Sequence, residues 1–542
     1  MRGITSATAR AVFLFLTIVP ITSLAQSATP TNPCPRFEAG GTVHNPPSLY
    51  SRDGVLTVDL LYRTTSDAAG RTLFCFTTTD GTESPTLHVW PGDTVIINLK
   101  NMLPPAPADE MEMEVSSGGC GPSAMMDASS VNMHYHGTNL APVCHQDEVL
   151  TTILNSGDSY QYRLHFPADE PPGLYWYHPH IHGQSEMAVQ GGASGAIIIE
   201  GLEHLQPLVA GLRERVLILR DQNVAGNPKP GGEIPSWDLT LNYVPIAYPK
   251  MTPAVLHMAP REKELWRVLN ASADSLVDLQ VAYDGVPQTL TIVGLDGVPT
   301  GSQDGTRLGK AVTAKHIFLP TAGRAEFIVE APDKSVHKAA VLTQEVDTGP
   351  DGDVDTYRVL AEIKLTAAPE DSDVLPNVVV PEPKVQHFEG LASAAVTARR
   401  KLYFSEVLSN PKDPSSPTNF YITVDGAKPK LFSPANPPAI VTRQGSVEEW
   451  TVENRSEESH EFHIHQTHFL LLERNGVAVP AAEQQFFDTI QVPYWSGKGP
   501  YPSVKVKMDF RGDYVGDFVY HCHILGHEDH GMMAVIRVLP AK

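Results

Sequence analysis

One ten-residue pattern occurs three times along the chain. It reads Gly92-Asp-Thr-Val-Ile-Ile-Asn-Leu-Lys-Asn101, then Arg261-Glu-Lys-Glu-Leu-Trp-Arg-Val-Leu-Asn270, then Gly445-Ser-Val-Glu-Glu-Trp-Thr-Val-Glu-Asn454. Each copy has a polar start, an alternating run suited to a half-buried strand, and a closing asparagine suited to a turn. The copies begin 169 and 184 residues apart, the length of one β-sandwich domain. Three copies at regular spacing argue for triplication. The expected fold is therefore all-β, with three consecutive β-sandwich domains at 40–205, 206–366 and 395–542. Prolines and acids between 367 and 390 mark residues 367–394 as a linker. The 46 prolines and 41 glycines suit short strands joined by turns, and no long helix is evident.

The first 25 residues read as a secretory signal peptide. Arg2 and Arg10 are its positive charges, Ala11 to Ile21 is an apolar run, and Ser23-Leu24-Ala25 offers small residues for cleavage. That run is too short to span a bilayer, and no later segment is long enough, so no membrane span is expected after its removal. The chain is expected to be exported, to a periplasm or the extracellular space, and to be a monomer. A formal net charge of −22 disfavours nucleic acid and would gather cations weakly.

Export permits disulfides. Cys34, Cys75, Cys120 and Cys144 allow three connectivities, which sequence does not separate. The working expectation is Cys34–Cys75 and Cys120–Cys144, each worth roughly 2–4 kcal/mol. Asn270-Ala-Ser and Asn454-Arg-Ser match the glycosylation pattern, should the source glycosylate. The fifth cysteine, Cys522, stands between two histidines.

Of 22 histidines, 11 fall in four short windows. These are His134-Tyr-His136-Gly, His178-Pro-His180-Ile-His182-Gly, His460-Glu-Phe-His463-Ile-His465, and His521-Cys522-His523 followed by His527 and Met532. Each window contains a His-x-His pair, and on a strand such a pair aims both imidazoles at one place. Four pairs give His134, His136, His178, His180, His463, His465, His521 and His523, too many for one metal and suited to a cluster. Half come from the first domain and half from the last, so the cluster should bridge them. His257, His316 and His337, scattered through the second domain, carry no ligand spacing.

Strand parity separates a second site. Cys522 must face away from its histidine neighbours, and His460, three residues before His463, faces away as well. With His527 and Met532 they match a copper centre in which a soft thiolate favours the metal. His460-Glu-Phe-His463 and His527-Glu-Asp-His530 superficially suggest zinc proteases, but their spacing is one residue short of His-Glu-x-x-His and the surroundings read as strand.

Four such windows in this order resemble the multicopper oxidases, the family of laccases, ascorbate oxidases and bacterial copper-efflux oxidases. The resemblance implies cupredoxin-like Greek-key domains and four copper ions. Type 1 copper would be held by His460, Cys522, His527 and axial Met532, and type 2 copper by His134 and His463. The type 3 pair would take His136, His178 and His523 on one ion, and His180, His465 and His521 on the other. It also implies dioxygen as acceptor, reduced to water, and proton-delivering acids at Glu528 and at Asp147 or Glu148. Tyr135, Glu461 and Gln466 depart from the family's usual tryptophan, proline and glycine. His182, His468 and His530 lie outside the ligand positions. Non-catalytic relatives usually lose ligands, and this chain retains them all.

An axial methionine goes with a lower potential and easily oxidised donors. Phenols or aromatic amines, as for a laccase, are the expected donors, with cuprous or ferrous ion the alternative. No methionine lies between Met258 and Met508. In the first domain Met111, Met113, Met125 and Met126 accompany Asp109, Glu110, Glu112 and Glu114. Thioethers beside acids suit cuprous ion, whereas the plainer expectation is an exposed loop clipped by Cys120–Cys144.

Overall fold

The computed structural model describes residues 32–107, 113–114, 119–302, 309–366, 388–413 and 415–542, with backbone only at 113–114. The signal-peptide reading, residues 367–387 of the linker, and Asp109, Glu110, Met111 and Glu112 lie outside them, as do the side chains of Met113 and Glu114.

From Pro33 onward the chain builds three pairs of β-sheets, each pair closing on its own apolar core. In the first, a four-stranded sheet (Thr72–Thr78, Val55–Ser66, Thr94–Asn101, Ser159–His165) faces a five-stranded one. Leu56, Val58, Ile97 and Leu99 meet Leu87, Tyr135, Tyr177 and Ile197 between them. The middle pair has eight and six strands, with Trp266, Val268, Leu279, Phe327 and Val341 inside. The last has seven and five, around Trp450, Phe462, Val506, Tyr520 and Cys522. Among the described residues the α-helices are Ser185–Gln190, Leu202–Leu205 and Leu525–Asp529, and no helix is long and apolar enough to cross a membrane.

The threefold pattern is a threefold structural position. Thr94–Asn101, Lys263–Asn270 and Ser446–Asn454 each lie between a parallel partner on one side and an antiparallel partner on the other. Each closing asparagine is buried and does the same work. Its side-chain oxygen accepts the amide N–H two residues on, at Leu103, Ser272 or Ser456, while its amide group donates to main-chain carbonyls. Such a side chain replaces a turn's missing backbone partners. This burial closes Asn270 and Asn454 to a glycan, correcting the sequence pattern.

The disulfides are Cys34–Cys75 and Cys120–Cys144, and Cys522 is free and buried. The methionine stretch is less loop-like than expected. Met113–Glu114 pairs antiparallel with Met125–Met126, and Met126 is buried against Ile153 and Ile181.

Candidate metal centre

Two strand pairs present the histidine windows. In the first sheet pair, β1 (His134–His136) runs antiparallel to β2 (Gly173–His178), with His178 opposite His134 and Trp176 opposite His136. In the last, β3 (His460–Ile464) runs antiparallel to β4 (Gly516–Cys522), with His463 opposite His521 and Phe462 opposite Cys522. Alternation then sorts the side chains. Tyr135, Phe462 and Cys522 enter the two cores, while the flanking histidines turn outward to the same place.

Eight imidazoles meet there. His134 stacks on His465 with ring centroids 3.7 Å apart, and His136 on His463 at 4.0 Å. His180 and His465 bring their Nε2 atoms to 3.3 and 3.2 Å from Nε2 of His521, and His178 and His523 close the ring at 5.7 Å. Nε2 of His134, His178, His463 and His523 and Nδ1 of His136 and His465 are buried without a hydrogen-bond partner. The nitrogens turned away are anchored, at His521 as well. His134 Nδ1 lies 2.9 Å from Asp147, and His136 Nε2 lies 3.1 Å from Asp488. His178, His463 and His521 donate Nδ1–H to the carbonyls of Pro179, Asp488 and Cys522. An anchored nitrogen fixes the tautomer and leaves the other lone pair for a metal. Burial, reinforced mostly by neighbouring histidines, holds all eight below the ordinary imidazole range, so they are neutral as ligands must be.

The second constellation lies on the far side of β4. Cys522 Sγ is 3.8 Å from His460 Nδ1 and 3.7 Å from His527 Nδ1, and the two nitrogens are 3.0 Å apart. Ser456 lies 2.7 Å from His460 Nε2 and Glu458 3.3 Å from His527 Nε2, so both Nδ1 atoms face the sulfur. Met532 is fully buried in the same core, and its carbonyl accepts the Cys522 N–H. Burial raises the free thiol, so a thiolate here needs a bound cation. His460 and His463 thus serve different sites from one strand, which removes the zinc-protease spacing as a unit.

Of the expected acids, Asp147 and Glu528 reach the cluster. Asp147 touches His134 and accepts the Tyr135 N–H at 3.0 Å, and burial raises its carboxyl well above the usual range. Glu148 instead accepts from Leu150, Thr151 and Thr152, capping its own loop. Glu528 lies 3.4 Å from His521 Nδ1 and 3.7 Å from His180 Nδ1, likewise raised by burial and then by Asp529. His182 meets Phe432 edge-on, His468 bonds the Asp296 carbonyl, and exposed His530 bonds the Gly526 carbonyl.

Several residues at the site carried no motif. Asp488 bridges His136 and His463, and the buried Arg324 forms a bidentate pair with it. The available signal was an acid in an apolar strand run, Phe486-Phe487-Asp488-Thr489-Ile490. Thr321 touches His523 and Glu461. Glu461, pushed up to about 8 first by burial, accepts from the Thr321 hydroxyl and amide N–H, and the same hydroxyl reaches the His523 carbonyl.

The arrangement has known counterparts. Family models described as multicopper oxidase match residues 125–204 and 411–542, the stretches that carry all four windows. Those two stretches are multicopper oxidase domains. A laccase from Bacillus subtilis (strain 168) is 25% identical over 407 residues, covering 68% of this chain and 71% of that protein. The multicopper oxidase LPR1 of Arabidopsis thaliana is 24% identical, covering 69% of each. The solved structure of a Campylobacter jejuni multicopper oxidase, described as a metallo-oxidase, superposes with a TM-score of 0.66 at 22% identity, covering 93% of this chain and 96% of that one. The sheet pairs are thus cupredoxin-like. Multicopper oxidases are copper-dependent oxidoreductases that use dioxygen, and the unpartnered imidazole nitrogens and buried thiol fit copper.

Proposed function

We propose that this chain oxidises a donor one electron at a time and reduces dioxygen to water, using four copper ions. His460, Cys522, His527 and Met532 would hold type 1 copper, and His134 and His463 type 2. His136, His178 and His523 would hold one type 3 ion, and His180, His465 and His521 the other. The observation that carries this reading is the convergence of eight imidazoles, with Cys522 placed between two of them and turned to the other site. When bound, the copper ions supply one-electron transfer and the place where dioxygen takes four electrons. The peptide bonds from Cys522 to His521 and His523 join the sites covalently. Burial keeps bulk water from the cluster. Glu528 carries a proton beside His180 and His521, and Asp147 orients His134.

The donor should approach His527, over which a cleft of about 830 Å³ opens. Its walls include Asp351, Asp353, Glu406, Glu457 and Glu458, with Phe420 stacked on His527 at 4.2 Å. Arg455 also lines it, paired with Glu453 and Asp425. A concave acidic wall gathers cations and repels anions. This favours ferrous ion, cuprous ion or a cationic aromatic amine over a neutral phenol. The metallo-oxidase description of the Campylobacter jejuni protein supports the metal-ion donor, and the Bacillus subtilis laccase keeps the phenolic one as the second reading. We further read the chain as three domains at 40–205, 206–366 and 395–542, exported and monomeric.

Oxygen consumption by the copper-loaded protein with ferrous ion, cuprous ion and a methoxyphenol, each corrected for autoxidation, tests both levels. Higher kcat/KM for the metal ions supports the acidic cleft as donor site, and the reverse order supports the laccase reading. No oxygen uptake with any donor would overturn the oxidase itself.

A further inference from the structure

The middle sheet pair supplies no histidine to the cluster, yet one of its turns reaches it. Residues 320–324 lead into the strand Arg324–Glu330, with Ala322 in the left-handed region at φ 64°. Arg324 is fully buried. Its Nη1 donates to Asp488 Oδ1 at 2.8 Å and its Nη2 to Oδ2 at 2.5 Å. Nε donates to the Leu174 carbonyl on β2 at 3.1 Å, and the Arg324 amide donates to Asp296 at 2.9 Å. Through its guanidinium and its own amide, Arg324 therefore engages all three sheet pairs.

Asp488 passes that arrangement on. Its Oδ1 lies 3.1 Å from His136 Nε2, and its carbonyl accepts Nδ1–H of His463 at 2.8 Å. Thr489 donates to Asp488 Oδ1 and stands 3.1 Å from His463 Nδ1. These contacts hold the nitrogens turned away from the cluster, which leaves the unpartnered Nδ1 of His136 and Nε2 of His463 aimed into it. Gly137 is the evidence that this approach is built in. It sits at φ 83°, and a Cβ there would overlap Arg324 Nη2 and stand 2.5 Å from Asp488 Oδ2.

We propose that Arg324 is a positioning residue for the trinuclear copper cluster, acting through Asp488 on His136 and His463. The inference rests on the copper reading above. A forked guanidinium fixes both carboxylate oxygens at once, which a lysine ammonium, as a point charge, does not. Losing such a support typically costs roughly 10–100-fold in metal affinity or activity.

The test uses the full-length, copper-loaded chain with Arg324→Gln, Arg324→Lys and Asp488→Asn. Arg267→Gln is the control, because Arg267 is equally buried and ion-paired but with Glu214 and Glu326. Copper retained against a chelator, the type 2 electron paramagnetic resonance signal and the blue absorption are measured. We expect Arg324→Gln to lose cluster copper roughly 10–100-fold more readily, with an altered type 2 signal and the blue band retained. Arg324→Lys should recover part of this, and Arg267→Gln should leave the type 2 signal unchanged. Should Arg324→Gln fail to fold, Asp488→Asn, which keeps the side-chain shape, must still alter the type 2 signal. A wild-type signal and chelator resistance in either Arg324→Gln or Asp488→Asn would overturn the proposal. So would equal loss of both copper signatures in Arg324→Gln and Arg267→Gln. A sample with the blue band but no copper retained at the histidine cluster in wild type would instead sink the four-copper reading.

Discussion

Gln466 donates its side-chain N–H to Asp147 Oδ2 at 2.6 Å and to the Asp147 carbonyl at 3.2 Å, joining the first sheet pair to the last. Gln466 pays for that reach with a left-handed backbone, φ 62°, where glycine would be at ease. Gln466→Gly should relieve about 1–2 kcal/mol of backbone strain and lose about 1–3 kcal/mol by leaving a buried carboxylate oxygen unpaired. The two nearly cancel. The expected outcome is a melting temperature close to wild type and a slower reoxidation of reduced enzyme by dioxygen, read by stopped flow. Unchanged reoxidation would leave the contact a mere tie between sheets.

Asp147→Asn and Glu528→Gln should divide the reaction at the same place. Donor-driven bleaching of the blue band should stay near wild type, because neither acid touches His460, Cys522 or His527 as a ligand. Return of the colour on mixing with oxygen should slow by roughly 10²–10⁴-fold, the usual worth of a positioned proton donor.

Cys522→Ser should abolish the blue absorption and oxygen uptake together. Met532→Leu should keep the colour and raise the reduction potential, since the weak axial ligand tunes it. Potentiometric titration of the blue band checks both, and a lower potential for Met532→Leu would contradict the axial assignment.

Glu406 sets an expected pH dependence. Burial, followed by the neighbouring Glu458, pushes its carboxyl up to about 7. Below that pH it is neutral, and above it the cleft gains a negative charge. KM for ferrous ion should therefore fall as pH rises through about 7, while KM for a neutral methoxyphenol stays flat. Glu406→Gln should flatten the ferrous profile at the higher KM. Anaerobic handling of the donor separates this from autoxidation.

Gly137→Ala places a methyl group against the Arg324–Asp488 pair in a backbone region that L-residues avoid. Strain and overpacking of roughly 1–3 kcal/mol each are expected. A lower melting temperature for the copper-free protein than for wild type measures it.

Period-two alternation is why so much of the site was legible. A strand has one rule for side-chain direction, so His-Cys-His could be divided between two sites from sequence, and β3 and β4 obey it. The triplicated strand was legible for the same reason. What escaped were groups brought in by tertiary contact: Arg324 meets Asp488 across 164 residues, and an acid in an apolar run at Asp488 does not point to that arginine. Glu461 showed only as a departure from proline, and its raised carboxyl follows first from a burial that only the tertiary fold creates. The acids of the donor cleft come from separate strands and loops, so charge along the chain did not reveal their convergence.

Ring contacts such as His180 against His521 span 341 residues. A ribosome that has delivered only the first half of the chain has made His134, His136, His178 and His180 without the four histidines they meet. The eight imidazoles therefore come together only once the last histidine window has been made.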